Sequence, residues 1–238
     1  MSQNIENASR AETIAEGLRA VQTAIREASK EGQPPVLVAV SKTYPLTDIV
    51  HAYHLGQHVF GENKVQEILE KQEEARSLCP ELEISWHLIG HLQRNKVRQI
   101  IGRVDLIHSV DSLRLIAEIG KRAAQASIIQ PILLQINVSG EASKDGFAPS
   151  ELEPALAACL AEPSLDLQGL MTMAPAAASE EEAEAIFSGL TALLPIVQEA
   201  YPQAATLSMG MSGDFIPALR AGSTMLRIGS LIFGPRVY

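Results

Sequence analysis

The sequence predicts an α/β fold, a single (β/α)8 barrel of the TIM type preceded by one extra amino-terminal helix. Three observations carry this. Eight short apolar runs alternate with helix-like segments over 238 residues, a length at which α/β barrels form one domain. The first run, Val36-Leu37-Val38-Ala39-Val40-Ser41, is continuous, as strands covered on both faces are, and it ends on Lys42. No stretch reads as an interdomain linker, since the small-residue segment from Ala174 to Ser179 is only long enough to join a strand to its helix. Residues 1–238 therefore read as one domain, with a doubly wound sheet as the competing arrangement.

The elements follow in order. Ile14, Leu18, Val21 and Ile25 recur at the spacing of an amphipathic helix, which ends near Gly32 ahead of Pro34-Pro35. After the run that ends at Lys42, strands are expected at His58–Phe60, Ile84–Ile89, Val104–Val110, Ile132–Val138, Leu167–Met173, Ala205–Met209 and Met225–Ile228. Helix starts are marked by Thr47 before Asp48-Ile49-Val50, by Asp111, and by the capping boxes Ser150-x-x-Glu153 and Ser179-x-x-Glu182. Only Leu231 to Tyr238 follow the last strand, too few residues for a second domain.

Composition excludes several classes. The net charge is −9, and the 19 Lys and Arg form no basic stripe with interleaved aromatics, which argues against nucleic-acid binding. Cys79 and Cys159 lie outside any CxxC pattern and read as two structural thiols of a reducing compartment. The amino terminus lacks the basic-then-apolar order of a secretion signal, and no apolar stretch reaches the length of a membrane span. A cytoplasmic monomer is expected.

The chemistry gathers at the strand ends. A lysine after a strand is ordinarily a solvated amine. Lys42 differs by ending a buried strand of a parallel sheet, where ligands of α/β proteins bind. Strand 7 runs into Ser208-Met209-Gly210-Met211-Ser212-Gly213-Asp214 and strand 8 into Arg227-Ile228-Gly229-Ser230. In barrels these two loops commonly hold phosphate. Gly and Ser are also ordinary turn residues, so the two loops together make the argument, not either alone. A phosphorylated carbonyl compound that accepts a lysine amine is pyridoxal 5′-phosphate, whose ring nitrogen needs a protein partner, and Arg227 is the candidate. An arginine there would donate without protonating the ring. His87 and His91 are four apart but on a strand leaving into a loop, not on one helical face, so no metal site is expected. Ser208, inside a strand, is a weaker phosphate candidate than Ser212.

The stretches Ala39-Val40-Ser41-Lys42-Thr43, Phe60-Gly61-Glu62-Asn63-Lys64-Val65-Gln66-Glu67, Trp86 to Lys96, Leu207 to Ser212 and Arg227-Ile228-Gly229 resemble those of the pyridoxal phosphate homeostasis protein family. The resemblance runs from about Val36 to Gly234. It implies the fold of the alanine racemase amino-terminal domain and a role in buffering or delivering the cofactor, with PLP-dependent apoenzymes as the partners and no significant turnover. By position it makes Lys42 the Schiff-base lysine, Arg227 the ring-nitrogen contact, Ser212, Gly229 and Ser230 the phosphate cradle, and Asn63 and His87 lining residues. Two enzyme readings compete. An amino-acid racemase needs a second base, which the racemases carry as a tyrosine on a separate carboxyl-terminal domain; here only Tyr44 lies near Lys42. A class I aldolase would explain the barrel and phosphate loops but not the remaining motifs.

Overall fold

The computed structural model describes residues 2–29, 34–141 and 145–235, with side chains described from residue 8 onward. Eight parallel strands close into a barrel in sequence order: β1 (Val36–Val40), β2 (Val59–Glu62), β3 (Ser85–Leu88), β4 (Leu106–Val110), β5 (Gln130–Gln135), β6 (Leu165–Met171), β7 (Thr206–Ser208) and β8 (Met225–Ile228). Closure is made by β1 on β8, with Val38 opposite Arg227. Outside lie α1 (Ser2–Ala28), α2 (Leu46–His54), α3 (Val65–Leu78), α4 (Val97–Ile100), α5 (Leu113–Gln125), α6 (Leu152–Leu160), α7 (Glu180–Ala200), α8 (Phe215–Arg220) and α9 (Ser230–Phe233).

The alternation of side chains along each strand divides the core into two layers. Val38, Leu106, Leu133, Met171 and Met225 fill the barrel interior. Their neighbours Ala39, Ile107, Leu134, Leu170 and Leu226 face outward and pack with the helices. The expected stripe Ile14, Leu18, Val21 and Ile25 is buried as α1 packs against α2 and α9. The expected end of α1 near Gly32 lies outside the described residues.

All eight expected strands form, with boundaries displaced by up to three residues. Helix starts move more instructively. α2 opens at Leu46 with Pro45 at its cap, because proline already holds φ at −69°; Thr47 falls inside the first turn. α5 is capped at Ser112, whose carbonyl accepts from Leu115 and Ile116 N–H, while Asp111 turns its carboxylate to His91 Nδ1 at 2.9 Å. The cap before α6 is not Ser150 with Glu153. Pro149 starts a short 3-10 turn, so Glu151 reaches back to the Ala148 N–H at 2.8 Å. The Ser179–Glu182 box forms as expected, with the two reciprocal bonds at 3.2 and 2.8 Å.

Candidate functional site

A cavity of about 380 Å³ opens at the carboxyl end of the barrel, lined by residues that include Lys42, Asn63, His91, Gln135, Asp145, Met211, Ser212, Arg227, Gly229 and Ser230. Its volume is that of a small-molecule site. Six of the seven residues expected there, Lys42, Asn63, Ser212, Arg227, Gly229 and Ser230, line this one cavity. Four different strand ends deliver them, which is why segments so far apart in sequence meet.

One side of the cavity is formed by the loops after β7 and β8. The Gly229 N–H points at Ser212 Oγ, 3.4 Å away, and Ser230 begins α9. A side chain at 229 would put a Cβ 2.9 Å from the Val40 carbonyl oxygen, so only glycine lets β8 pass this close to the end of β1. Gly210 has φ +93° and a Cβ there would lie 2.6 Å from Ala218 Cβ; glycine is needed to turn β7 back toward α8.

Below the cavity, polar side chains cross the barrel interior as one chain. Arg227, only 3% exposed, donates to Ser208 Oγ at 2.6 Å and to the Thr172 carbonyl at 3.0 Å. His108 Nδ1 lies 2.9 Å from Ser208 Oγ, and His108 Nε2 lies 2.9 Å from His87 Nδ1. A guanidinium has no acceptor, so Ser208 must accept from Arg227. Its own proton is then left for His108 Nδ1, and His108 Nε2–H donates to His87. This direction gives Ser208 Oγ–H and His108 Nε2–H each an acceptor and makes both imidazoles neutral. Burial acts the same way, lowering His87 to about 4 and His108 well below its ordinary value, with the neighbouring His87 and Arg227 pushing His108 further. Burial also lowers Arg227 to about 10, still protonated at neutral pH.

His87 is not among the residues that line the cavity and pairs with His108 instead. Ser208, ranked below Ser212 as a phosphate ligand, has its hydroxyl committed to Arg227 and His108. His108 went unremarked in the sequence, although a histidine two residues from inward-facing Leu106 on a buried strand must face inward too. Ser208→Val should strand both Arg227 and His108, costing about 3 kcal/mol or more of stability, whereas Ser208→Thr keeps the hydroxyl and should cost far less; urea melts of the two variants check this.

A second buried polar group lies behind β1 and β2. Lys71 Nζ donates to Glu62 at 2.6 Å, Glu67 at 2.9 Å and the Ser41 carbonyl at 2.8 Å, and Ser41 Oγ donates to Glu62 at 2.6 Å. Burial raises Glu62 to about 7 against the pull of Lys71 and Ser41. Tyr44 points elsewhere: its hydroxyl donates to the Gly234 carbonyl at 2.6 Å, its ring stacks on Phe233, and the Arg10 guanidinium lies over it. His91 pairs with Asp111 and, at 3.4 Å, Asp145 on the cavity rim.

The barrel and the loops after β7 and β8 define a domain of the alanine racemase amino-terminal type, and the model of that family, "Alanine racemase, N-terminal domain", matches residues 17–237. The pyridoxal phosphate homeostasis protein of Aquifex aeolicus is 40% identical over 228 residues, covering 95% of this chain and 98% of that one. The bovine protein of the same name is 40% identical over 219 residues, covering 86% and 78%. Among solved structures, PipY of Synechococcus elongatus with PLP bound superposes with a TM-score of 0.80 at 33% identity, over 93% of this chain and 100% of that one. Alanine racemase of Corynebacterium glutamicum shares the fold, with a TM-score of 0.74 at 17% identity, over 95% of this chain and 62% of that one. The chain belongs to the pyridoxal phosphate homeostasis protein family.

Proposed function

We propose that this protein binds pyridoxal 5′-phosphate covalently through Lys42 and buffers it or delivers it to apoenzymes in the cytoplasm, without significant catalytic turnover. The observation that carries the reading is the convergence on one cavity of a lysine, a buried arginine and the group Ser212, Gly229 and Ser230. These groups fit the cofactor's three handles of aldehyde, ring nitrogen and phosphate. Homeostasis proteins similar over nearly the whole chain support the same role. Among the described residues no helix is long and apolar enough to cross a membrane.

Bound there, the cofactor supplies an electrophilic aldehyde and a ring able to delocalise charge. Lys42 provides the amine at the end of β1. Ser212 and Gly229 N–H supply donors for phosphate at the opening between β7 and β8. Arg227 commits N–H groups to Ser208 and Thr172, which fixes the plane of its guanidinium, and its remaining donors serve the ring nitrogen. Because that arginine keeps its protons, the ring stays a weak electron sink. The racemase reading needs a base on the opposite face. Tyr44, its candidate, is held by Gly234 and Phe233 instead.

The test is to incubate holoprotein with single-enantiomer alanine and serine and to add it, in parallel, to a PLP-dependent apoenzyme. Activation of the apoenzyme with no change in enantiomeric purity is expected. Racemisation at about 1 per second or faster, lost in Lys42→Ala, would replace the carrier with an enzyme. For the phosphate cradle, Ser212→Ala should weaken pyridoxal 5′-phosphate by about 1 kcal/mol or more and leave unphosphorylated pyridoxal nearly unaffected. Isothermal titration of both ligands reads the difference, and equal losses would remove Ser212 from the site.

A further inference from the structure

Lys42 sits in a turn that its neighbours do not favour. Tyr44 N–H donates to the Ser41 carbonyl at 3.0 Å, closing a turn over Ser41-Lys42-Thr43-Tyr44, and Thr43 has φ +72°. Turns with positive φ at the third residue ordinarily use glycine or asparagine, and a β-branched residue there is strained. The strain is held on both sides of Lys42 from α3. Before it, the Ser41 carbonyl accepts from Lys71 and the Ser41 hydroxyl donates to Glu62; after it, the Thr43 N–H donates to Glu67 Oε1 at 2.5 Å. Lys71 joins the two carboxylates. Glu62 is fully buried, and its second oxygen, Oε2, has no partner among the described residues. A buried ionic group with an unsatisfied oxygen is a poor source of stability, since an apolar cluster of the same shape would do as well or better. What this cluster does achieve is geometric, because Lys71 and Glu67 end on the two peptide units that flank Lys42, while Glu62 holds Lys71 and the Ser41 hydroxyl.

We propose that Glu67 and Lys71, backed by Glu62, are positioning residues that enforce the Thr43 turn and so aim the Lys42 amine into the cavity. None of them lines the cavity. Their effect reaches the ligand through the direction of the lysine stem. Near-attack placement of an amine is sensitive to small displacements, so loosening the turn slows attachment without altering the phosphate or ring contacts. The inference rests on the cofactor reading above, with Lys42 as the attaching amine.

The experiment compares the parent with Glu67→Ala, Thr43→Gly and the double variant. Glu67→Ala leaves Lys71 bound to Glu62 and Ser41, so the buried charge stays paired. Two probes are used: pyridoxal 5′-phosphate, whose attachment is followed by absorbance and borohydride trapping, and pyridoxine 5′-phosphate, which has an alcohol in place of the aldehyde and cannot be attached. Glu67→Ala should slow attachment about tenfold and bind pyridoxine 5′-phosphate as the parent does. Thr43→Gly, which adopts positive φ freely, should raise the urea midpoint when made alone and should restore at least about threefold of the lost rate in the Glu67→Ala background. Parent-like attachment by Glu67→Ala, an equal loss for both probes, absence of rescue, or a Thr43→Gly midpoint no higher than the parent's would each overturn the positioning role. Failure of the cofactor reading looks different: the parent itself would then attach nothing.

Discussion

Lys42→Ala is expected to abolish borohydride-stable attachment of pyridoxal 5′-phosphate and to lower its apparent affinity by about 100-fold or more, roughly 3 kcal/mol. Among the described residues, Lys42 is the lysine on the cavity wall. Removing it takes away the covalent link while Ser212, Gly229 and Arg227 stay in place, so a weaker, fully reversible complex should persist. Peptide mapping of the reduced parent protein should find the pyridoxyl group on Lys42. A label on Lys64 or Lys144 instead, or undiminished attachment in Lys42→Ala, would show that the site has been misassigned.

The second large effect concerns acid. His87 has a folded-state pKa lowered to about 4 against 6.5 when unfolded, and His108 is lowered well below 6.5, both mainly by burial. A depressed pKa means the unfolded chain binds the extra proton first. The corresponding stability is present above pH 6.5 and is lost as pH falls toward the folded value. His87 alone should remove about 2 kcal/mol between pH 7 and pH 5, with His108 acting in the same direction. Glu62 opposes them. Its folded pKa is raised to about 7 from 4.5, so its contribution is fullest below pH 4.5 and is lost as pH rises through 7. From pH 7 down to pH 5 it therefore returns about 2 kcal/mol. Urea unfolding at the two pH values should show Glu62→Gln losing about 2 kcal/mol more than the parent across that interval, and His87→Gln about 2 kcal/mol less. Identical pH dependence in all three proteins would mean that these groups are solvated in solution rather than buried as the structure has them.

Much of this protein was determined by local pattern. The eight apolar runs, the stripe on α1 and the Ser179–Glu182 box are short-range signals, because a buried strand or an amphipathic helix must repeat its apolar residues at its own period. Once the barrel is fixed, residues at strand ends must share one mouth, so Lys42, Ser212, Arg227, Gly229 and Ser230 could be gathered from the sequence, with Asn63 added by the family resemblance. Other features depended on which side chain meets which across the barrel. The family resemblance makes His87 a lining residue, whereas its imidazole meets His108 of the neighbouring strand. Ser208 reads as filler, and becomes the joint between Arg227 and that histidine pair only when β7, β8 and β4 are brought together. Lys71 looks like one more charge on an amphipathic helix until its tip is found among Glu62, Glu67 and the Ser41 carbonyl. Period and position are properties of one segment and are written in it, whereas the partner of a buried polar group is a property of two or more segments, set by strand stagger and helix placement after the chain has closed.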